Sequence, residues 1–192
     1  MWGVDLHCCL SGVIGTVSAR AFTTSNQLKT PAVRLMAGPD SSSSTTTVPS
    51  ARVTIEPTHY EAKISFSLFK SASNNPQPAT YYINLMQLNN CRKVSYTINS
   101  ITISDITGAS NLGRLTIYLF AVQTDTPTAS TPIGSASLTN TSHGTISLLS
   151  STQTIAASAT YYIEIVGHAA PSAGTGSKTG FNLNIQCMST HR

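Results

Sequence analysis

The sequence predicts an all-β fold: a single antiparallel eight-stranded jelly-roll β-sandwich preceded by a flexible N-terminal arm. Three observations carry that prediction. Apolar and polar residues alternate over about eight short stretches, the period of a strand with one buried face. Clusters of Pro, Gly, Asn, Asp and Ser separate the stretches and supply the geometries that end a ladder and turn the chain. No stretch keeps helical spacing for three turns, apart from a short candidate helix at QLNN (87–90). Short strands at such intervals indicate a sandwich or barrel, of which the jelly roll is the eight-stranded, two-sheet form.

Residues 1–52 read as the arm, Ser/Thr-rich and partly flexible. GPDSSSSTTTVPS (38–50) lacks the large apolar groups that would offset the entropy of ordering it. Arg20, Lys29, Arg34 and Arg52 outnumber Asp5 and Asp40 there, a weak attraction for polyanions. Residues 53–192 form the predicted shell domain. RVTIEP opens it, and AKISFSLFK sets Ile64, Phe66 and Leu68 on one face. TYYINLMQL follows the turn NNPQP. In KVSYTINSITISD, Val94, Tyr96 and Ile98 are in step, and the phase slips before Ile101 and Ile103. That slip predicts a β-bulge at Asn99–Ser100. GRLTIYLFAV places Leu115, Ile117 and Leu119 opposite Tyr118 and Phe120. TISLLS, ATYYIEIVG and FNLNIQC complete the eight.

Composition narrows the function. A chain of 192 residues suffices for one domain with a real core. Only 9% of residues are charged, against about 25% in ordinary soluble domains, so the exterior is hydroxylic, as on shell-forming proteins. The net charge of +4 is spread thinly, without the Lys/Arg cluster of a nucleic-acid patch. Cys8, Cys9, Cys91 and Cys187 form no C-x-x-C pair, and no disulfide framework or zinc site is readable. Reduced thiols favour synthesis inside a cell. The first residues imitate a secretory signal imperfectly, since a basic n-region is missing and Asp5 and His7 interrupt the apolar run. No run of 18 apolar residues offers a membrane span.

The chemistry-bearing motifs are weak. GTGSKTG (174–180) has Ser177 and Ser172 where a phosphate-binding loop needs its glycines, and an alternating strand follows where a helix should open. It reads as a tether between strands. No nucleophile elbow accompanies the many serines. His59, His143 and His168 read as solvated or hydrogen-bonded loop residues, and zinc-ligand spacings are absent. No catalytic residue, metal or cofactor is expected. Of the pairs Tyr81–Tyr82 and Tyr161–Tyr162, one ring should face the core and one should face out, toward subunit contacts. Arg92, Lys93 and Arg114 precede the two strongest central strands.

The order of EPTHYEAKISFSLF, KVSYTINSITISD, GRLTIYLFAVQTDTPTASTP and TYYIEIVGHAAPSAGTGSKTGFNLNIQCMST resembles the coat proteins of tymoviruses, marafiviruses and macula-like viruses. The likeness covers residues 52–190 and is strongest in the final hairpin. MWGVDLHCCLSGVIG has no counterpart in it. The resemblance implies a capsid protein, not an enzyme, whose copies tile an icosahedral shell around positive-sense single-stranded RNA. It also implies an arm ordered differently in different subunit positions, RNA charge balanced largely by polyamines, and a place in the virion after synthesis in the host cytoplasm. The residues expected to contact RNA are Arg20, Lys29, Arg34, Arg92 and Lys93; those expected at subunit interfaces are Tyr81, Tyr82, Tyr161 and Tyr162. A second reading remains open at this point. LTIYLF, TYYIEIVG and FNLNIQ, in that order, also resemble prepeptidase C-terminal domains, which implies a secreted or cell-surface β-sandwich binding module with a glycan at Asn140.

Overall fold

The computed structural model describes residues 31–42, 50–71 and 76–189. Its strands are β1 (Val33–Ala37), β2 (Ala51–Ile55), β3 (Glu61–Ser67), β4 (Ala79–Asn90), β5 (Tyr96–Thr107), β6 (Leu112–Phe120), β7 (Gly134–Leu138), β8 (Ile146–Ser147), β9 (Gln153–Ile155), β10 (Thr160–Ala169) and β11 (Lys178–Ser189). Short 3-10 turns at Pro39–Ser42 and Ala109–Asn111 are the helical elements among the described residues. The strands pair into two antiparallel sheets, ordered β1-β4-β10-β6-β7 and β2-β3-β11-β5-β8, with β9 also on β5.

All eight predicted stretches are strands, and three more join them. β7 and β9 are too short and too rich in small or polar residues to show a clear period. β1 lies inside the segment read as an arm. There Val33 and Leu35 are buried, and the strand pairs with β4 from Val33↔Asn90 to Ala37↔Met86. The compact unit accordingly begins at residue 32. The helix proposed at 87–90 is corrected: those residues end β4, held by β1 on one side and β10 on the other. Ladder pairing on both edges overrides a local preference.

Between the sheets lies one apolar core. Phe66 of β3 meets Tyr82 of β4 and Phe181 of β11 edge-on, at ring-centroid distances of 6.1 Å each. Ile98, Ile101 and Ile103 of β5 face Leu115, Ile117 and Leu119 of β6 in the same buried cluster. Burying each such side chain is worth about 1.5–3 kcal/mol relative to exposure.

The bulge expected at Asn99–Ser100 is present: Gln186 pairs with Ser100 and Cys187 with Ile98, which leaves Asn99 over. A second slip between Gly180 and Asn182 coincides with Asp105 at φ 50. β4 carries the largest irregularity, opposite Ile163 and Ile165, where Asn84 takes φ 56. Asn tolerates this left-handed conformation better than most residues. Gly38 leaves sheet one beside it. Its N–H donates to the Leu85 carbonyl at 2.9 Å, and a Cβ there would stand 1.8 Å from the Asn84 oxygen. Only glycine admits that approach.

Candidate functional site

The cation end is built by two adjoining segments. β1 starts beside the end of β4, where Cys91 N–H donates to the Ala32 carbonyl at 2.8 Å. Arg34 points out from β1 opposite Asn89, half-buried, with its Nε covered and without a hydrogen-bond partner. Arg92 and Lys93 stand exposed on the turn between β4 and β5. That turn is held from below by Asn90, which is 1% exposed. Asn90 Nδ2 donates to the Val94 and Ala156 carbonyls at 2.7 and 2.8 Å, while its oxygen receives Arg92 N–H. Ser158 N–H adds a bond to the Arg92 carbonyl at 2.9 Å. Three of the five residues expected at nucleic acid therefore share one end of the sandwich. Arg20 and Lys29 lie outside the described residues. Arg114 does not precede its strand; it is the third residue of β6, exposed and paired with His168.

The tyrosine pairs split as alternation requires. Tyr81 is 47% exposed on the outer face of sheet one. Tyr82 is buried, and its hydroxyl donates to the Ser67 carbonyl at 2.6 Å with Ser50 O close by at 2.9 Å. Burial pushes that hydroxyl's pKa up to about 12, against a smaller lowering by its hydrogen bonds to Ser67. The interface role expected of Tyr82 is thereby corrected, since a covered ring has no surface to offer a partner. Tyr161 packs on the core and donates to Thr154 O at 2.7 Å, and burial raises its pKa. Tyr162 is half-buried on the opposite side.

Each histidine among the described residues is occupied by a backbone carbonyl. His59 Nδ1 lies 3.4 Å from Leu35 O, His143 Nδ1 2.7 Å from Thr141 O, and His168 Nδ1 2.8 Å from Gln77 O. His59 also takes φ 58 and accepts Leu35 N–H at 2.8 Å, so it blocks part of the free edge of β1. His168 belongs to β10 rather than to the loop after it. Four residues along a strand span roughly 13 Å, which separates it from Glu164. Among the described residues no group of three or more His, Cys, Asp and Glu is placed to hold a metal ion.

GTGSKTG is a tether, as its sequence suggests. Residues 170–177 cross between the sheets, and Lys178 is already the first residue of β11, paired with Ser67. Lys70 clamps the crossing by donating to the Pro171 and Ala173 carbonyls. Asn111 Nδ2 donates to Lys178 O at 2.9 Å.

Sequence reasoning missed Glu164. It alternates with the core-facing Ile163 and Ile165 and so lies on the outer face of β10, yet it is 0% exposed, with Oε1 accepting Thr124 N–H at 3.3 Å and Oε2 unpartnered. Beside it an open hollow of ≈ 320 Å³ is lined by residues such as Phe120, Val122, Thr124 and Ser130. Isoleucines on either side gave no hint that the outer face is roofed.

No helix among the described residues is long and apolar enough to cross a membrane. Comparison with known protein families finds no family model that matches the chain, and comparison with curated proteins finds no match either.

Proposed function

We propose that the protein is a viral coat subunit that assembles with copies of itself into an icosahedral shell around a positive-sense single-stranded RNA genome. The observation that carries this reading is the winding of the chain. β3, β11, β5 and the pair β8–β9 stand side by side in one sheet, and β4, β10, β6 and β7 in the other. The chain therefore crosses between sheets at β3–β4, β4–β5, β5–β6, β7–β8, β9–β10 and β10–β11. That order of crossings supports reading the sandwich as the double Greek key of an eight-stranded jelly roll, a frame common in capsids. β1 and β2 add one strand to an edge of each sheet, and both come from the segment that leads in from the arm.

A largely uncharged, hydroxyl-rich surface suits many weak contacts that symmetry makes collectively stable. Arg34, Arg92 and Lys93, gathered where the arm enters, are the residues proposed to meet RNA, together with Arg20 and Lys29. So few cations neutralise few phosphates, and binding by the isolated subunit is weak with a shallow salt dependence. Polyamines supply the remaining charge, and the virion is the site of action. Tyr81 and Tyr162 are the aromatic residues proposed at subunit contacts.

Sedimentation velocity on the full chain tests the reading. Rapidly sedimenting particles of uniform size support it, and a single slow species at every concentration overturns it. The alternative of a secreted or cell-surface binding module draws on one observation: Asn140, in the only clear N-T-S sequon, is exposed. A glycosylated monomer recovered from the medium of secreting cells would favour that alternative.

A further inference from the structure

Glu164 sits at the middle of β10, the central strand of sheet one, between Ile163 and Ile165, which point into the core. Its own side chain is on the other face, where solvent is expected, yet it is completely covered. The cover is the segment that follows β6. Thr124 N–H donates to Glu164 Oε1 at 3.3 Å, and Gln123 Oε1, one residue earlier, receives Asn84 Nδ2 of β4 at 3.4 Å. β6 and β4 flank β10, so the segment passes over Glu164 from one neighbouring strand to the other. It is braced internally as a unit: Thr124 Oγ1 lies 2.7 Å from Ser130 Oγ, and Ser130 Oγ donates to Thr126 O at 3.1 Å.

We propose that Glu164 is a proton-operated latch for residues 121–131, closed while its carboxyl is neutral and released when it ionises.

One carboxyl oxygen holds the segment through a single N–H, and the other, equally buried, has no partner. A neutral acid tolerates that setting, but a carboxylate needs several donors or water. The charged groups acting on it are Asp125 from the covering segment and Asp40 from the 3-10 turn Pro39–Ser42, both acidic. β6 contributes Tyr118, directly opposite, and β4 contributes the uncharged Asn84 and Gln87. Tyr162 and His168 lie further along β10 itself. Burial, the largest cause, raises the Glu164 pKa above 4.5; the Thr124 hydrogen bond lowers it by less, and the like charges of Asp125 and Asp40 add smaller increases.

The sign follows from the raised pKa. Closure is fully favoured below the ordinary carboxylate range and fades as pH rises through the higher value of the closed state. Lifting the segment hydrates the carboxylate and uncovers the outer face, including Phe120, which is 2% exposed and stacks on Tyr118 at 5.6 Å.

Hydrogen exchange of the Thr124 amide in the full chain, corrected for intrinsic rate, tests the latch from about pH 5 to about pH 9. The wild type should lose up to about tenfold protection for each pH unit between the ordinary carboxylate value and the raised midpoint, levelling off above it, while the core strand β5 stays protected. Glu164→Gln, neutral at every pH, should keep the segment closed throughout. Equal loss in both proteins, or no loss in the wild type, overturns the latch. A second readout does not depend on the variant folding: the carboxyl 13C shift of Glu164 in the wild type. A midpoint in the ordinary range overturns the proposal, and a raised midpoint coinciding with the loss of protection supports it.

Discussion

Asn90 Oδ1 receives the backbone N–H of Arg92 at 3.0 Å, and through that bond a buried amide sets the turn that carries two of the proposed RNA-contacting cations. The same side chain reaches Val94 and Ala156 with its nitrogen, so it staples the β4–β5 turn to the β9–β10 turn. Replacing it leaves buried donors and acceptors without partners. Asn90→Ala should cost about 3 kcal/mol in urea denaturation. A loss under about 1 kcal/mol would contradict this role.

Tyr81 and Tyr82 are neighbours in sequence with opposite duties. Tyr82→Phe keeps the ring contact with Phe66 but removes the hydroxyl that donates to Ser67 O. It should cost about 1–2 kcal/mol. Tyr81→Ala touches an exposed ring and should change stability by less than about 0.5 kcal/mol while reducing assembly. Denaturation and light scattering on both variants separate the two effects. Destabilisation by the Tyr81 change, with Tyr82→Phe neutral, would invert the assignment.

Gly38 lets β1 leave sheet one against the Asn84 bulge. Gly38→Ala must push the Asn84 carbonyl aside, because the new Cβ meets backbone rather than a flexible side-chain tip. The expected cost is about 2 kcal/mol or more. Hydrogen exchange should show the loss first at Leu35, whose N–H bonds to His59 O on the free edge of β1. Unchanged protection there would contradict the tight approach.

The two cysteines among the described residues differ in access. Cys91 is exposed, whereas burial pushes the Cys187 thiol up to about 11. The thiolate is the reactive form, so a raised pKa slows alkylation at neutral pH. Peptide-level mass spectrometry at about pH 7.5 should find Cys91 labelled at least tenfold faster than Cys187 in the native protein. Equal rates would mean that β11 opens near its end.

Much of the sandwich was legible because its strands obey period two, and even the slip at Asn99 was written in the spacing from Ile98 to Ile101. β1 had its own alternation, Val33 then Leu35, but the low-complexity stretch after it drew both into the arm. The bulge at Asn84 was hidden because a left-handed Asn carries no local mark without a glycine or a turn cluster around it. Glu164 was hidden for a different reason. Alternation names the face a residue points to, but a roof supplied by residues 121–131 is a tertiary fact. The cation end was legible only as separate residues. What brings Arg34 to Arg92 and Lys93 is the pairing of Val33 with Asn90, a contact far apart in sequence.

The central claim is that this sandwich closes into a shell with its own copies. Electron microscopy of the purified full chain tests it most directly. The account predicts closed particles of one diameter whose averages show two-, three- and five-fold views. Solitary 20.2 kDa molecules at high concentration, with or without RNA and polyamine, would contradict it.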